Sequence, residues 1–241
     1  MMPLVRPAIL STLFVAILAS LFYAHSDELL SLIELYREDV LYLSLQHLEL
    51  VAISGGLAVV CGVALGIVLS RSCMARLAEP VIQLLNIGAT IPTLAVLALS
   101  MSFLGVGTVP ALFALWVMAL LPIVRNTYAG IQSVPAYLIE AARGMGMRAW
   151  HIVFRIELPN ALFVIFAGIR TAISINIGTA PLAFLIGAGG LGELIFIGID
   201  LNEFDMLLAG VIPVALLAVV VDFILGQMQY WLVPRGVHPE R

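Results

Sequence analysis

The sequence predicts an all-α, polytopic membrane protein of about six transmembrane helices, and three observations carry that reading. Of 241 residues, 62% are hydrophobic and only 11% charged; soluble domains carry roughly 25% charge, so this chain could not cover its surface in water. Mean hydropathy is +1.13, and the apolar residues fall in runs near the ~20 residues that a bilayer core requires. The arginines gather on one side of those runs, as basic residues do on the cytoplasmic side of a membrane.

The first predicted span is residues 8–24, slightly short and preceded by Arg6. No A-x-A cleavage site precedes His25-Ser26-Asp27-Glu28, so an uncleaved anchor is favoured over a signal peptide. A polar, amphipathic segment follows over residues 27–42. The second span is 48–69, with Gly62 and Gly66 in a small-xxx-small spacing suited to close helix packing. After a short loop with Arg71 and Arg76, the third span runs over 81–103 and ends in the uncharged turn LGVGT. The fourth covers 110–123 and stops at Arg125-Asn126-Thr127, the fifth 161–186, and the sixth 206–233, stopped by Pro234. Between the last two lie a glycine cluster and an acidic loop with Asp200, Glu203 and Asp205.

Orientation follows from the arginines. Arg6, Arg71, Arg76, Arg125, Arg143, Arg148, Arg155, Arg235 and Arg241 share one side, which makes it cytoplasmic together with both termini. Arg37 alone falls opposite, among Asp27, Glu28, Glu34, Glu38 and Asp39. The expected units are residues 1–45 (first helix and outer amphipathic segment), 46–233 (transmembrane domain) and 234–241 (cytoplasmic tail).

One stretch is a charged, small-residue island in this apolar chain. Residues 140–159 read EAARGMGMRAWHIVFRIELP. A helix begins in its first turn at Pro135, where the missing N–H costs nothing, and runs through Glu140-Ala141-Ala142. Gly144 and Gly146 then allow a sharp reversal, because only glycine takes positive φ freely. A second helix, about Arg148 to Glu157, ends at Leu158-Pro159 because proline disfavours helix in the residue before it. Two short helices with a glycine corner make a knob that a partner's groove could grip, and the paired alanines would let its backbone approach. The plainer reading is a surface helical hairpin.

This string resembles the cytoplasmic loop of ABC importer permeases, the loop that docks into the ATPase subunit in that family. Three more strings sharpen the match: IGATIPTLAVLA at 87–98, LPIVRNTYAGI at 121–131, and a stretch over 167–192 holding GIRTA, NIGTA and GAGGLG. Together they are similar to the osmoprotectant branch, importers of glycine betaine, choline, carnitine or proline betaine; GAGGLG is shared with methionine-type permeases. The resemblance implies a type I importer permease fold in the bacterial inner membrane and a coupling loop at about 128–160. The partners it implies are a second permease (a copy or a sister chain), two ATPase subunits and a separate periplasmic or lipid-anchored binding protein. It also implies no cofactor in this chain, with ATP and Mg²⁺ in the ATPase. Coupling would rest on Glu140, Ala141, Ala142, Gly144, Gly146, Arg148, Leu158 and Pro159.

The expected path is weakly binding, since a tight site would trap the solute. Thr90, Pro92 and Thr93 are candidate gate residues: proline breaks a backbone bond and hydroxyls re-satisfy the freed groups. An ordinary proline kink fits the same residues. Gly187, Gly189, Gly190 and Gly192 would unwind the end of the fifth span near the outer mouth, or form a plain loop outside the bilayer. Asn176 either lines the path or bonds a neighbouring helix. Arg170 and Asp222 sit at similar depth in the last two spans and are expected to pair or to face one polar cavity.

Other classes fare poorly. Internal repeats of the kind secondary transporters use are missing, and no Ser–His, paired-Asp or H-E-x-x-H set lies within the spans, so an enzyme is not expected. The remaining alternatives are an importer for another small solute, such as an amino acid, or a secondary transporter. Nothing resembles a basic nucleic-acid surface. The histidines (His25, His47, His151, His238) show no ligand spacing and are expected at surface or interfacial positions, and Cys61 and Cys73 as free thiols, with no metal site.

Overall fold

The computed structural model describes residues 26–234, and side chains from Glu34 onward. The first predicted span, the two outermost histidines and the tail lie outside the described residues.

The described chain opens with α1, Ser26–Leu69, a single 44-residue helix. At 1.5 Å per residue it is about 66 Å long, roughly twice a bilayer core. The polar segment and the second predicted span are therefore one rod. Their boundary vanishes because nothing breaks it: between Pro7 and Gly55 the sequence holds neither proline nor glycine.

After a 3-10 turn (Ser72–Met74), the third predicted span proves to be two helices, α2 (Ala75–Gly88) and α3 (Thr93–Leu104), bent by 100°. Helices of 14 and 12 residues reach about 21 and 18 Å, so neither crosses alone. Pro92, at φ −59° and ψ 135°, turns the chain out of the helical direction. The carbonyl of Ile87 accepts from the Thr90 N–H at 3.0 Å and the Thr90 hydroxyl at 2.7 Å, so the corner satisfies its own freed backbone.

Next come α4 (Thr108–Gln132), α5 (Ala136–Gly144) and α6 (Ala149–Ile152). Arg125 does not end α4, which keeps two more turns of helix beyond it. A π-helical turn (Val153–Glu157) joins α6 to α7 (Leu158–Thr179), which tightens into a 3-10 turn (Ala180–Ile186). The predicted stop at Leu158-Pro159 is thus absent. Pro159 sits in the first turn of α7, where no donor is needed, and the wide turn before it carries the helix direction through. The chain closes with α8 (Gly192–Leu201) and α9 (Phe204–Leu232). The expected acidic loop is almost entirely helix: Asp200 lies in α8 and Asp205 in α9, with only Asn202-Glu203 between them.

Four described helical stretches are long and apolar enough to cross a membrane, five if the bent pair counts as one span. Five of the predicted spans fall within the described residues, and these stretches correspond to them. The core packs α1, α4 and α7 together. Ala58, Ala119, Ile123, Ala161, Ile165 and Ala172 fill it toward the end carrying Arg71, and Leu50, Leu97, Ala111, Leu115 and Ile177 toward the other. Gly62 and Gly66 lie directly against Ile123 and Thr127 of α4. The N-terminal half of α1 is held by Leu43, which meets Leu191, Leu194 and Ala209.

Candidate functional site

The knob is built as a capped helix. Pro135 precedes α5, and the helix ends in a pair of reciprocal bonds: Met147 N–H to the Ala142 carbonyl at 3.1 Å and Gly146 N–H to Arg143 at 2.9 Å. That Schellman closure needs a left-handed residue at its turn, and Gly146, at φ +74°, supplies it. Gly144 does not join the reversal. It is the last residue of α5.

The two alanines separate. Ala141 is exposed, while Ala142 is fully buried against the chain's own core and offers nothing to a partner. What the knob displays instead is Tyr137, Met145, Trp150 and Phe154, all strongly exposed, Met145 at 73%. Glu140, Arg143, Arg148 and Arg155 stand exposed among them. Large exposed apolar groups rimmed by charge are a surface suited to contact with a partner or with the membrane. The sequence signal for them was available, since aromatics and methionine are out of place in a charged loop. Leu158 and Pro159 are half-buried at the foot of α7.

An ion pair anchors the knob. Buried Glu157, in the π turn, accepts from Arg71 at the end of α1, and Arg71 also donates to the Ile67 carbonyl at 3.1 Å. Arg71→Leu leaves a buried carboxylate unpaired, which costs roughly 3–5 kcal/mol. The Arg71→Leu single variant should therefore melt at lower temperature in detergent than Arg71→Leu/Glu157→Leu; equal melting would remove this anchoring role.

The candidate path residues are not brought into one site. Thr90, Pro92 and Thr93 form the 100° corner, Thr90 and Pro92 exposed and Thr93 half-buried. The corner lies one α2 length, about 21 Å, from the arginine-rich loop. Irregular backbone at that depth is tolerated only against protein or a water-filled cavity.

Asn176 faces inward and bonds a neighbouring helix. It is buried and donates to the Ser54 hydroxyl of α1 at 2.8 Å. Beside it His47, fully buried rather than at the surface, places Nε2 3.1 Å from the Ile177 carbonyl. His151 is half-buried against the Trp150 ring. Gln46 accepts from the Gly190 N–H at 3.1 Å. These bonds zip α1 to the far end of α7.

Among the glycines, Gly187, Gly189 and Gly190 take φ of +79°, +75° and +83°, yet helix geometry already tightens at Ala180, upstream of them. Gly192 does no unwinding. It opens α8 and lies so close to Pro181 that a Cβ would stand 2.0 Å from the carbonyl oxygen.

Arg170 of α7 grips Asp222 of α9 through Nε–H to Oδ1 at 3.0 Å and Nη2–H to Oδ2 at 2.8 Å. Its Nη1 donates to Gln229 at 3.1 Å, and Gln229 donates on to the Phe163 carbonyl at 3.2 Å. The pair is not buried in the isolated chain, with side chains 35% and 42% exposed. It lines a cavity of about 830 Å³ with Thr171, Ser174 and Tyr230.

Comparison with known proteins fits this architecture. Residues 58–236 match the family described as "binding-protein-dependent transport system inner membrane component". The chain is 52% identical to the osmoprotectant import permease protein OsmY of Salmonella typhimurium, over 83% of this chain and 84% of that protein. It is 47% identical to the carnitine transport permease protein OpuCB of Listeria monocytogenes (81% and 89% covered). With the choline transport system permease protein OpuBB of Bacillus subtilis the figure is 43% (83% and 91%). Among solved structures, the inward-facing MetNI methionine ABC transporter superposes with a TM-score of 0.71 at 23% identity, over 81% of this chain and 96% of that one. An amino acid ABC transporter does so at 0.64 and 18%, over 84% and 95%. These establish the type I importer permease fold. The chain belongs to the inner-membrane components of binding-protein-dependent transport systems, and is a permease subunit of an ABC importer rather than an enzyme.

Proposed function

We propose that this permease carries quaternary-ammonium compatible solutes, of the glycine betaine, carnitine or choline kind, across the bacterial inner membrane. The observation that carries the substrate class is identity of 43–52% to permeases named for osmoprotectant, carnitine and choline transport. A second permease, identical or sister, completes the path. Two ATPase subunits bind and hydrolyse ATP with Mg²⁺, and a separate binding protein delivers solute from outside.

Coupling runs through the knob of residues 135–159. Tyr137, Met145, Trp150 and Phe154 form the contact, with Glu140, Ala141 and Arg148 around them, while Gly146 and the Arg71–Glu157 pair hold its shape. Thr90, Pro92 and Thr93 gate the path. Gly187, Gly189 and Gly190 shape its outer mouth. The transmembrane domain is residues 46–233, with both termini cytoplasmic.

The test is sidedness. In a background lacking Cys61 and Cys73, a cysteine replacing Glu34 should react with an impermeant thiol reagent in cells whose inner membrane is intact. One replacing Arg148 should react only after permeabilisation. The opposite pattern would put the knob on the side without ATP and overturn the coupling assignment.

A further inference from the structure

The Arg170–Asp222 pair has no role in the coupling knob, and its position is costly. Asp222 lies 18 residues into α9 and ten from its end, so about 15 Å of helix separates it from the nearer end. Charged groups at such depth face protein or water, not lipid, and mark functional sites by default. Yet in the single chain both side chains stand open to a cavity of about 830 Å³, within the range of small-molecule sites.

The walls suit a particular chemistry. Arg170 has five N–H donors, of which its bonds to Asp222 and Gln229 take three. Tyr230, two turns beyond Asp222 on α9, and Thr171 and Ser174 of α7 also line the cavity. Gly226 lines it beside the guanidinium, where a Cβ would stand 3.5 Å from Cζ of Arg170. A carboxylate acceptor, a counter-anion and an aromatic face therefore converge on one space.

We propose that this cavity is a low-affinity way-station for solute in transit, taking a zwitterion that carries a carboxylate and a quaternary ammonium group. The carboxylate bonds the remaining donors of Arg170. The ammonium lies toward Asp222 and the Tyr230 ring, as cations do over aromatic faces. The resting pair explains why the site is weak. An empty site holds no unpaired charge, because Arg170 and Asp222 neutralise each other. A loaded site holds two zwitterions and again no net charge. Loading makes Arg170 share its charge between two carboxylates, which weakens each contact, so the solute enters and leaves without a deep trap. A cation without a carboxylate finds only Asp222 and the ring, and binds less well. This inference rests on the substrate class proposed above.

The experiment uses the permease–ATPase complex in nanodiscs, without its binding protein. Saturation-transfer NMR on the N-methyl signal of glycine betaine suits weak binding. The wild-type complex should give a saturable methyl signal, stronger for glycine betaine than for choline. Arg170→Gln/Asp222→Asn removes both charges while leaving polar side chains at both positions, and should lower the signal about tenfold. Size-exclusion chromatography checks its assembly. Should that variant fail to assemble, Thr171→Trp puts a large ring at a residue that lines the cavity and should abolish the signal. A wild-type complex with no signal above empty nanodiscs, or a wild-type signal in either variant, overturns the way-station. ATP-dependent uptake separates the two ideas: a complete importer that transports glycine betaine but shows no site signal refutes the way-station alone. An importer that takes up no quaternary ammonium solute refutes the substrate class and the way-station with it.

Discussion

Replacing Gly146 by proline should abolish solute uptake while leaving the chain in the membrane at its normal level. Gly146 sits at φ +74°, and proline is locked near −65°. Proline also removes the N–H that bonds the Arg143 carbonyl at 2.9 Å. The closure of α5 is lost twice over, and α6 leaves in a new direction, carrying Trp150 with it. Insertion survives because the turn is exposed and makes no contact with the core: a Cβ at Gly146 meets nothing within 4 Å. A graded series sharpens the test. Asn tolerates the left-handed region and should retain most uptake; Ala pays about 1–2 kcal/mol of strain and should fall between. Uptake per unit of permease is the readout, and wild-type uptake with proline would mean that the geometry of this turn does not matter for coupling. The companion surface test is Ala141→Arg, which places a long charged side chain on the exposed face. Ala142→Arg is expected to lower the amount of folded chain instead, because Ala142 is buried.

Gly192→Ala should be more damaging to the fold than any other single-methyl change at a described glycine. The added Cβ would stand 2.0 Å from the Pro181 oxygen and 2.7 Å from its carbonyl carbon. Those are backbone atoms, and no rotamer relieves the clash. Either α8 or the 3-10 turn must move, and α8 carries Leu194 into the cluster with Leu43 and Ala209. A loss of about 3 kcal/mol or more is expected from overpacking of this kind. Gly144→Ala is the control. That residue is helical with nothing within 4 Å, so alanine should stabilise by up to about 1 kcal/mol through helix propensity. Thermal melting in detergent, read by fluorescence-detected chromatography, should place the two variants on opposite sides of wild type.

Much of this fold was legible where composition dominates. The spans near α4, α7 and α9 follow from apolar length alone, and the knob follows from charge, glycine and proline set in an apolar chain. Continuity was harder to read. Residues 27–42 read as an amphipathic segment separate from the span after it because they are polar, but Glu, Leu and Arg are good helix formers, and no breaker interrupts them. Pro159 looked like a stop, but a proline in the first turn of the next helix is not one. Pro92 breaks its helix far more sharply than a kink, and period and hydropathy hold no angle. Side-chain partners were least accessible. Asn176 and His47 were assigned by residue type, whereas their burial depends on α1 lying against α7 at that register. The Arg170–Asp222 contact was accessible because depth along two antiparallel spans can be counted. Its exposure was not, because that depends on what the neighbouring helices leave uncovered.

The most direct measurement is uptake into proteoliposomes holding this permease, its partner permease if distinct, and the ATPase, with purified binding protein outside. The expected result is accumulation of labelled glycine betaine, carnitine or choline that requires ATP in the lumen on the ATPase side, requires the binding protein, and disappears with Gly146→Pro. Uptake driven by an ion gradient without the ATPase, or unchanged when the ATPase is omitted, would contradict the account.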